Sequence, residues 1–282
     1  MLRPVSPYAA LMIEDSERIM VIADVHLGWE ASLAEDGIYI PSQTGKLLKR
    51  LEEIILLEKP DNLIILGDLK HTVEKIGFEE WREVPVFLEG LKGLVRGVRV
   101  IPGNHDGDVS ILLPHGVILE PQQGVIVGDI GLFHGHAWPG ISMLNCKTLI
   151  IGHVHPIITF RDHMGFKVMS QVWVKAPCNS GTLAKAMLRR YRVRFKGDED
   201  VDRVLMDEFS IKPRVENLII MPSFNDFLGG RSVNRISIFR DEALKDFMGP
   251  ILRSGGVRLD EAEIYLLDGT FLGTLNQLTM IK

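Results

Sequence analysis

Residues 62–71 read Asn62-Leu63-Ile64-Ile65-Leu66-Gly67-Asp68-Leu69-Lys70-His71 and join an apolar run directly to a glycine and polar residues. The same order, an apolar run followed at once by polar residues, occurs at residues 19–26, 98–106, 130–136 and 148–156. Apolar runs of this length are typical of buried strands. Between two of them, residues 47–55 carry Leu and Ile at spacings of three and four, which predicts a helix. A second, weaker helical pattern covers Trp81 to Leu94.

Strands that alternate with helices predict an α/β fold with a sheet covered on both faces. Ligands in such folds bind beyond the carboxyl ends of the strands, which is where the polar clusters stand. After Pro156 the pattern changes to shorter strands, predicted at 157–160, 166–174, 218–221, 236–239, 264–267 and 272–275. Asp268-Gly269 between the last two is a common hairpin turn.

The length of 282 residues fits one domain, residues 1–282, with a charged insertion at about residues 187–213. The net charge of -5 does not favour a general nucleic-acid binder. The cysteines Cys146 and Cys178 are too few for a disulfide framework or a cysteine zinc site, and they fit a reducing cytoplasm. We see no signal peptide and no apolar run near the roughly 20 residues of a membrane helix. These features predict a cytoplasmic protein without a membrane partner.

Three of the polar clusters carry acidic or amide side chains. They are Asp24-Val25-His26, Gly67-Asp68 and Gly103-Asn104-His105-Asp106. Taken singly, each has an ordinary explanation as a turn or a capped loop. The carboxylate of Asp68 could nevertheless bridge two cations, and Asn104 offers a neutral amide oxygen next to an imidazole.

Two histidine clusters change this interpretation. Phe133-His134-Gly135-His136 and Gly152-His153-Val154-His155-Pro156 place imidazoles directly after apolar strands. Polar rings at such positions are costly unless a metal or a hydrogen bond satisfies them. Four histidines in two clusters, together with the three acidic or amide motifs at other strand ends, predict a metal site.

This ordered set of motifs resembles the calcineurin-like metallophosphoesterase superfamily over roughly residues 18–160. The resemblance implies a four-layered α/β/β/α sandwich with its site at the strand ends. Residues 218–230 resemble a loop of a narrower group, the DNA ligase-associated metallophosphoesterases and their archaeal relatives. The alternative for this loop is a Pro/Gly turn that Phe224 and Phe227 anchor in the core.

By resemblance, one metal ion takes Asp24, His26 and His155, the second takes Asn104, His134 and His153, and Asp68 bridges both. Carboxylate, amide and imidazole donors without thiolate independently suit divalent manganese, which we expect first, or nickel, zinc, iron and cobalt. His136 and His71 are expected behind the ligands or in contact with substrate, and for His136 simple packing remains open. His71 stands where many superfamily members have an acidic residue. The motif Gly67-Asp68-Leu69-Lys70-His71 also lacks the Asp-Arg-Gly extension of protein serine/threonine phosphatases, which counts against that class of enzyme.

Two cations roughly 3.5 to 4 Å apart activate a shared water and clamp a phosphoryl group during in-line displacement. The implied reaction is therefore attack by a metal-bridged hydroxide on a phosphoester. His105 is expected to act as the general acid that protonates the leaving oxygen, with Asp106 orienting it.

The preferred function is a binuclear phosphodiesterase acting on nucleotides or nucleic-acid ends. Alternatives are a pyrophosphohydrolase of nucleotide-linked lipids, a phosphomonoesterase, or a non-catalytic scaffold, because fold and metals do not set the substrate. The resemblance also makes a homodimer plausible. Residues 189–196 interleave five basic residues with two aromatic ones and could contact nucleic acid. Acidic residues follow directly, so a self-compensating surface segment is the alternative.

Overall fold

The computed structural model describes residues 1–161, 163–235 and 248–280. The chain forms two compact units. The first consists of residues 1–122 with 223–228, and the second of residues 123–222 with 229–282. Within the described ranges, no helix is long and apolar enough to cross a membrane. The strand predicted at residues 236–239 lies outside the described residues.

The first unit contains a six-stranded sheet whose spatial order follows the chain. Its strands are β1 (Leu2–Pro4), β2 (Ala10–Glu14), β3 (Arg18–Ile22), β4 (Asn62–Leu66), β5 (Gly97–Ile101) and β6 (Val117–Leu119). The first three strands pair antiparallel, and β3 to β6 pair parallel. Parallel neighbours require crossover connections, which bring the carboxyl ends of β3, β4 and β5 to one edge of the sheet.

Helices α1 (Glu30–Glu35), α2 (Thr44–Glu58) and α3 (Phe78–Leu91) form the crossovers, and a 3-10 turn spans Val109–Leu112. The apolar spacing in residues 47–55 correctly predicts α2, because the Leu and Ile residues of that pattern include its buried face. The helix ends at Lys59, which adopts a left-handed conformation directly before a proline. A hydrophobic core of this unit lies between the sheet strands and helices α2 and α3.

The second unit contains nine strands within the described residues. They are β7 (Val125–Val127), β8 (Ile130–Leu132), β9 (Thr148–Ile151), β10 (Pro156–Arg161), β11 (Lys167–Pro177), β12 (Asn217–Ile220), β13 (Arg231–Ser232), β14 (Glu263–Leu266) and β15 (Phe271–Thr274). The order is β13-β10-β11-β12-β9-β8-β7, with β14 joining β11 to β15. Strands β8, β9 and β12 are parallel, whereas β10, β12 and β14 pair antiparallel with β11. The hairpin predicted at Asp268-Gly269 is present between β14 and β15.

In the described part of the second unit, the helices are α4 (Ser180–Arg190), α5 (Asp198–Phe209), α6 (Gly249–Leu252) and α7 (Leu275–Met280). The end of α4 and all of α5 make up most of the charged segment 187–213. Helices α4 and α5 both turn apolar side chains inward. Met187 and Leu188 of α4 and Val201 and Leu205 of α5 are buried in the core of this unit. The charged segment therefore contributes to the core as well as to the surface.

The α/β class predicted from the sequence is confirmed, and so is the position of the polar clusters. In the first unit, β3 and β4 end two residues before Asp24 and Asp68, and β5 ends three residues before Asn104. In the second unit, β8 and β9 end within two residues of His134 and His153. In both sheets, the predicted polar clusters thus lie directly after apolar strands.

Candidate metal centre

The loops that follow β3 and β4 run side by side in the first unit. The amide of Asp24 donates to the carbonyl of Gly67 at 3.1 Å, and the amide of His26 donates to the carbonyl of Asp68 at 2.8 Å. These two bonds continue the parallel pairing beyond the strand ends. They hold three predicted ligands at one edge of the sheet.

The three ligands are buried and close together. Asp24, His26 and Asp68 expose 0%, 3% and 2% of their surfaces, and each offers a ligand atom within 4.8 Å of the others. His26 Nε2 lies 3.4 Å from Asp68 Oδ2. The buried carboxylates of Asp24 and Asp68 repel each other when both are ionised this close together, and a divalent cation between them offsets that repulsion. Carboxylate and imidazole donors therefore fit a divalent metal ion here.

The backbone at the predicted ligands is unusual. Nine non-glycine residues of the described chain have a positive φ, and five of them are predicted ligands: Asp24, His26, Asp68, His153 and His155. Asp and His tolerate this left-handed region better than most residues. Each still costs on the order of 1 kcal/mol, and such conformations concentrate at functional sites. The local backbone is thus arranged to aim these side chains rather than to minimise strain.

His105 follows β5 and contacts the carboxylate of Asp68. Its amide donates to Asp68 Oδ1 at 2.9 Å, and its ring Nε2 lies 4.0 Å from Asp68 Oδ2. The other ring nitrogen, Nδ1, is hydrogen-bonded to the carbonyl of His71. A carbonyl only accepts, so Nδ1 carries a proton and Nε2 is the nitrogen that can gain or lose one. Asn104 is exposed on the same loop.

Asp106 is buried and joins two of the loops. Its Oδ1 accepts from the amide of Lys70 at 3.1 Å and its Oδ2 from the amide of Gly103 at 2.8 Å. Burial raises the pKa of the Asp106 carboxyl, and the nearby charge of Asp68 raises it further. Gly103 has no room for a side chain, since an added Cβ would lie 2.1 Å from Asp68 Oδ1. The orienting role of Asp106 toward His105 stays a prediction.

His71 lies among the imidazoles of the first unit, with its Nδ1 3.3 Å from Nδ1 of His26. Its position depends on Glu80, a buried residue of α3 that sequence analysis missed. The Glu80 carboxylate accepts from the amides of His71 at 2.9 Å, Thr72 at 2.6 Å and Gly77 at 2.7 Å, and from the Thr72 hydroxyl at 2.6 Å. The signal was present in the sequence, because a carboxylate three residues after the N-cap Gly77 is a capping pattern.

We expect Glu80→Ala to destabilise the protein by about 3 kcal/mol, because three amides and a hydroxyl lose a charged acceptor in a buried place. Glu80→Gln retains one acceptor oxygen and should cost less. Urea unfolding of the metal-free protein measures both. The exposed neighbour Glu79 is the matched control, and Glu79→Ala should change the free energy of unfolding by no more than about 0.5 kcal/mol. Equal effects at the two positions would contradict the proposed role of Glu80.

The second unit brings its histidines together independently. His134 is fully buried, and its ring centroid lies 5.1 Å from that of His153 and 5.2 Å from that of His136. His134 and His153 each offer a ring nitrogen within 4.8 Å of the other. The amide of Gly152 donates to the His134 carbonyl at 3.0 Å and fixes the two loops together. Such paired imidazoles suit borderline divalent cations.

Segments late in the chain support these histidine loops. Gly249, at the start of α6, has a φ of 65°, and an added Cβ would lie 2.0 Å from the carbonyl oxygen of Gly135. The amide of Arg231 in β13 donates to the His155 carbonyl at 2.9 Å. Neither contact was predicted, because no spacing rule relates residues about 75 to 115 positions apart in sequence.

Comparison with known proteins agrees with this geometry. A profile of the calcineurin-like phosphoesterase family matches residues 17–208, which is more than half of the chain. No curated protein matches the sequence significantly. Among solved structures, the nuclease MPE of Pseudomonas putida is similar with a TM-score of 0.54 and 18% identity, over 96% of this chain and 100% of that one.

Two shorter structures are also similar. The phosphoesterase Yfce of E. coli matches with a TM-score of 0.34 and 23% identity, over 51% of this chain and 73% of its own. The protein AQ665 of Aquifex aeolicus matches with a TM-score of 0.35 and 23% identity, over 49% of this chain and 78% of its own. On the family match, this chain belongs to the calcineurin-like phosphoesterase family of metal-dependent hydrolases of phosphoester bonds.

Proposed function

We propose that the protein is a phosphodiesterase that hydrolyses nucleotides or nucleic-acid ends with two divalent metal ions. The observation that carries this proposal is the fixed ring of His105. Its Nδ1 is bound to a backbone carbonyl, and its Nε2 lies 4.0 Å from the Asp68 carboxylate, next to the predicted ligands of the first unit. A proton donor held in this way suits a poor leaving group such as the sugar hydroxyl of a nucleotide.

The proposed ligand set follows the family resemblance. Asp24, His26 and His155 bind one ion, Asn104, His134 and His153 bind the other, and Asp68 bridges them. Within the first unit, the closeness and burial of the Asp24, His26 and Asp68 donors support this set. Within the second, the pairing of His134 with His153 supports it. Carboxylate, amide and imidazole donors without thiolate suit manganese, nickel, zinc, iron or cobalt, and manganese is the first metal to test.

Two divalent cations, when bound, polarise a phosphoryl group and activate water. The residues of the chain supply the proton for the leaving group and hold the proton donor in place. His105 Nε2 donates a proton to the leaving oxygen, while the His71 carbonyl keeps the ring oriented through Nδ1. Asp106 holds the loop of His105 against the loop of Lys70 by accepting a hydrogen bond from the Lys70 amide, and it closes its own loop by accepting one from the Gly103 amide. His136 and His71 border the ligands and are candidates for contact with the substrate.

Two further likenesses support a nucleic-acid substrate. The structure with a TM-score of 0.54 is named a nuclease, and residues 218–230 resemble a loop of the DNA ligase-associated metallophosphoesterases. The contact of residues 189–196 with nucleic acid, the homodimer and the cytoplasmic location stay predictions.

The test compares bis-p-nitrophenyl phosphate with p-nitrophenyl phosphate. Metal-stripped protein is refilled separately with manganese, nickel, zinc or magnesium, and each metal content is measured. We expect the diester to be cleaved faster than the monoester and the metal-free rate to be lower by at least about 100-fold. A linear oligonucleotide and its circular form then distinguish cleavage at ends from internal cleavage.

Other outcomes redirect the assignment. Faster monoester cleavage would identify a phosphomonoesterase, and turnover of nucleotide-linked pyrophosphates alone would identify a pyrophosphohydrolase. Two bound ions without activity on any of these substrates would contradict the proposed phosphodiesterase and favour the scaffold.

A further inference from the structure

Two aromatic rings of the first unit are stacked at its surface. The rings of Trp29 and Phe227 have centroids 6.0 Å apart and planes inclined by 14°. Trp29 exposes only 9% of its surface, whereas Phe227 exposes 44%. Phe227 is therefore the outer ring of the pair, and Trp29 supports it from behind. Phe224, three residues earlier, is buried as a core anchor.

Two basic residues of α2 accompany the rings. The ammonium of Lys46 lies 5.8 Å from the centroid of the Phe227 ring. Arg50 binds both carboxylate oxygens of Asp226 at 3.0 Å, which holds the loop that carries Phe227. Lys46 is exposed, and its long side chain can move over the ring while its charge stays in water. An exposed ring with a nearby movable cation is a composition that binds a base together with a phosphate.

The stacked rings are tied directly to the candidate ligand loop. The amide of Trp29 donates to the carbonyl of the ligand His26 at 3.3 Å. From the other side, the fully buried side chain of Asn225 donates to the Val25 carbonyl at 2.9 Å and accepts from the amide of Phe227 at 3.1 Å. The backbone amides of both aromatic residues are therefore tied to residues 24–26, within the same unit.

We propose that Phe227, backed by Trp29, stacks on the base of the nucleotide next to the hydrolysed phosphate, and that Lys46 binds a neighbouring phosphate. This inference rests on the proposed phosphodiesterase function and adds to it a subsite that binds the base. Stacking on a ring tolerates every base, because each base has a π face. The subsite therefore gives affinity for nucleotides without sequence specificity.

The kinetic test compares a diester with a base and a diester without one. Thymidine 5′-monophosphate p-nitrophenyl ester carries a base, whereas methyl p-nitrophenyl phosphate has the same leaving group and a methyl group in place of the nucleoside. Phe227→Leu removes the ring but keeps an apolar side chain, so KM for the thymidine ester should rise on the order of 10-fold. Its kinetics on methyl p-nitrophenyl phosphate should stay within about twofold. Phe227→Tyr restores a ring and should restore KM.

A binding test needs neither metal nor turnover. Fluorescence anisotropy of a labelled oligothymidylate with metal-stripped protein should give a Kd on the order of 10-fold higher for Phe227→Leu. Lys46→Gln should reduce the salt slope of binding by about one ion. Phe78, an exposed phenylalanine at the start of α3, is the matched control, and Phe78→Leu should change neither quantity.

The outcomes separate this inference from the proposed function. If the unaltered protein cleaves both diesters and Phe227→Leu affects them equally or not at all, the stacking subsite is refuted and the phosphodiesterase stands. If no diester is cleaved but oligothymidylate binding depends on the Phe227 ring, the subsite stands and the proposed reaction fails. Loss of binding in both Phe227→Leu and Phe227→Tyr would also overturn stacking, because the second variant keeps the ring.

Discussion

Asp68→Asn is expected to abolish metal-dependent activity while leaving the metal-free fold intact. Asparagine has the size of aspartate and keeps an oxygen that can accept the amide of His105, now bound at 2.9 Å. It loses the negative charge that a bridging ligand needs. Loss of an outer partner of a metal ligand costs about 10- to 100-fold in affinity or activity, so loss of a ligand shared by two ions should exceed about 100-fold.

Thermal unfolding gives a readout of Asp68→Asn that is independent of activity. Ligands that bind only the folded state raise Tm, so manganese should raise the Tm of the unaltered protein and fail to raise that of the variant. Without metal, the variant should be at least as stable as the unaltered protein. The reason is that Asp68 lies close to buried Asp24 and its charge opposes ionisation of Asp106.

Asp15→Asn provides the matched control for this experiment. Asp15 is exposed in the turn between β2 and β3, at the opposite end of β3 from Asp24. Asp15→Asn should bind manganese, and manganese should raise its Tm as much as it raises that of the unaltered protein. Two ions bound by Asp68→Asn, measured by elemental analysis after dialysis, would show that Asp68 is not the bridging ligand.

The sequence predicted the parts of the fold that depend on short-range patterns. Strands β3, β4 and β9 appear as apolar runs after one polar residue, and β5 as a run interrupted by Arg99, because strands of a covered sheet are largely apolar. Helix α2 is visible from one apolar stripe. The polar motifs stand where those strands end, so their grouping could be expected from chain order and parallel pairing alone.

The support of the site could not be predicted in the same way. Glu80 resembles any acidic residue in the first turn of a helix, and only the folded loop of residues 71–77 places four donors around its carboxylate. The role of Asp106 in orienting His105 was predicted, but the hydrogen bonds that its oxygens accept from the amides of Lys70 and Gly103 were not. Such hydrogen bonds depend on three-dimensional closure and leave no periodic signal in the chain.

The loop of residues 223–228 illustrates the same limit. The Pro, Gly and Phe residues of segment 218–230, which includes this loop, suggested either a core anchor or a substrate contact. Phe224 is buried and Phe227 is exposed, so neighbouring members of one motif have different environments. Sequence alone gives both residues the same apolar character, and only the structure separates the buried Phe224 from Phe227, which stacks on Trp29.

His105→Ala should reveal a general acid by its dependence on the leaving group. A sugar alkoxide needs a proton as it leaves, whereas p-nitrophenolate leaves readily without one. Loss of a general acid lowers kcat by about 10²- to 10⁴-fold, and that loss should appear with a dinucleotide and nearly vanish with bis-p-nitrophenyl phosphate. Metal content should not change, because His105 is outside the proposed ligand set.

The fixed ring of His105 explains why the effect should be specific. Its Nδ1 is engaged by the His71 carbonyl, so Nε2 alone is available for proton transfer. Exposed His115, on the loop before β6, is the matched control, and His115→Ala should leave kcat on both substrates unchanged. Equal losses by His105→Ala on both leaving groups would instead assign His105 to binding of the phosphoryl group, and lost metal would assign it to the ligand set. Only the leaving-group dependence, with both ions retained, identifies a proton donor.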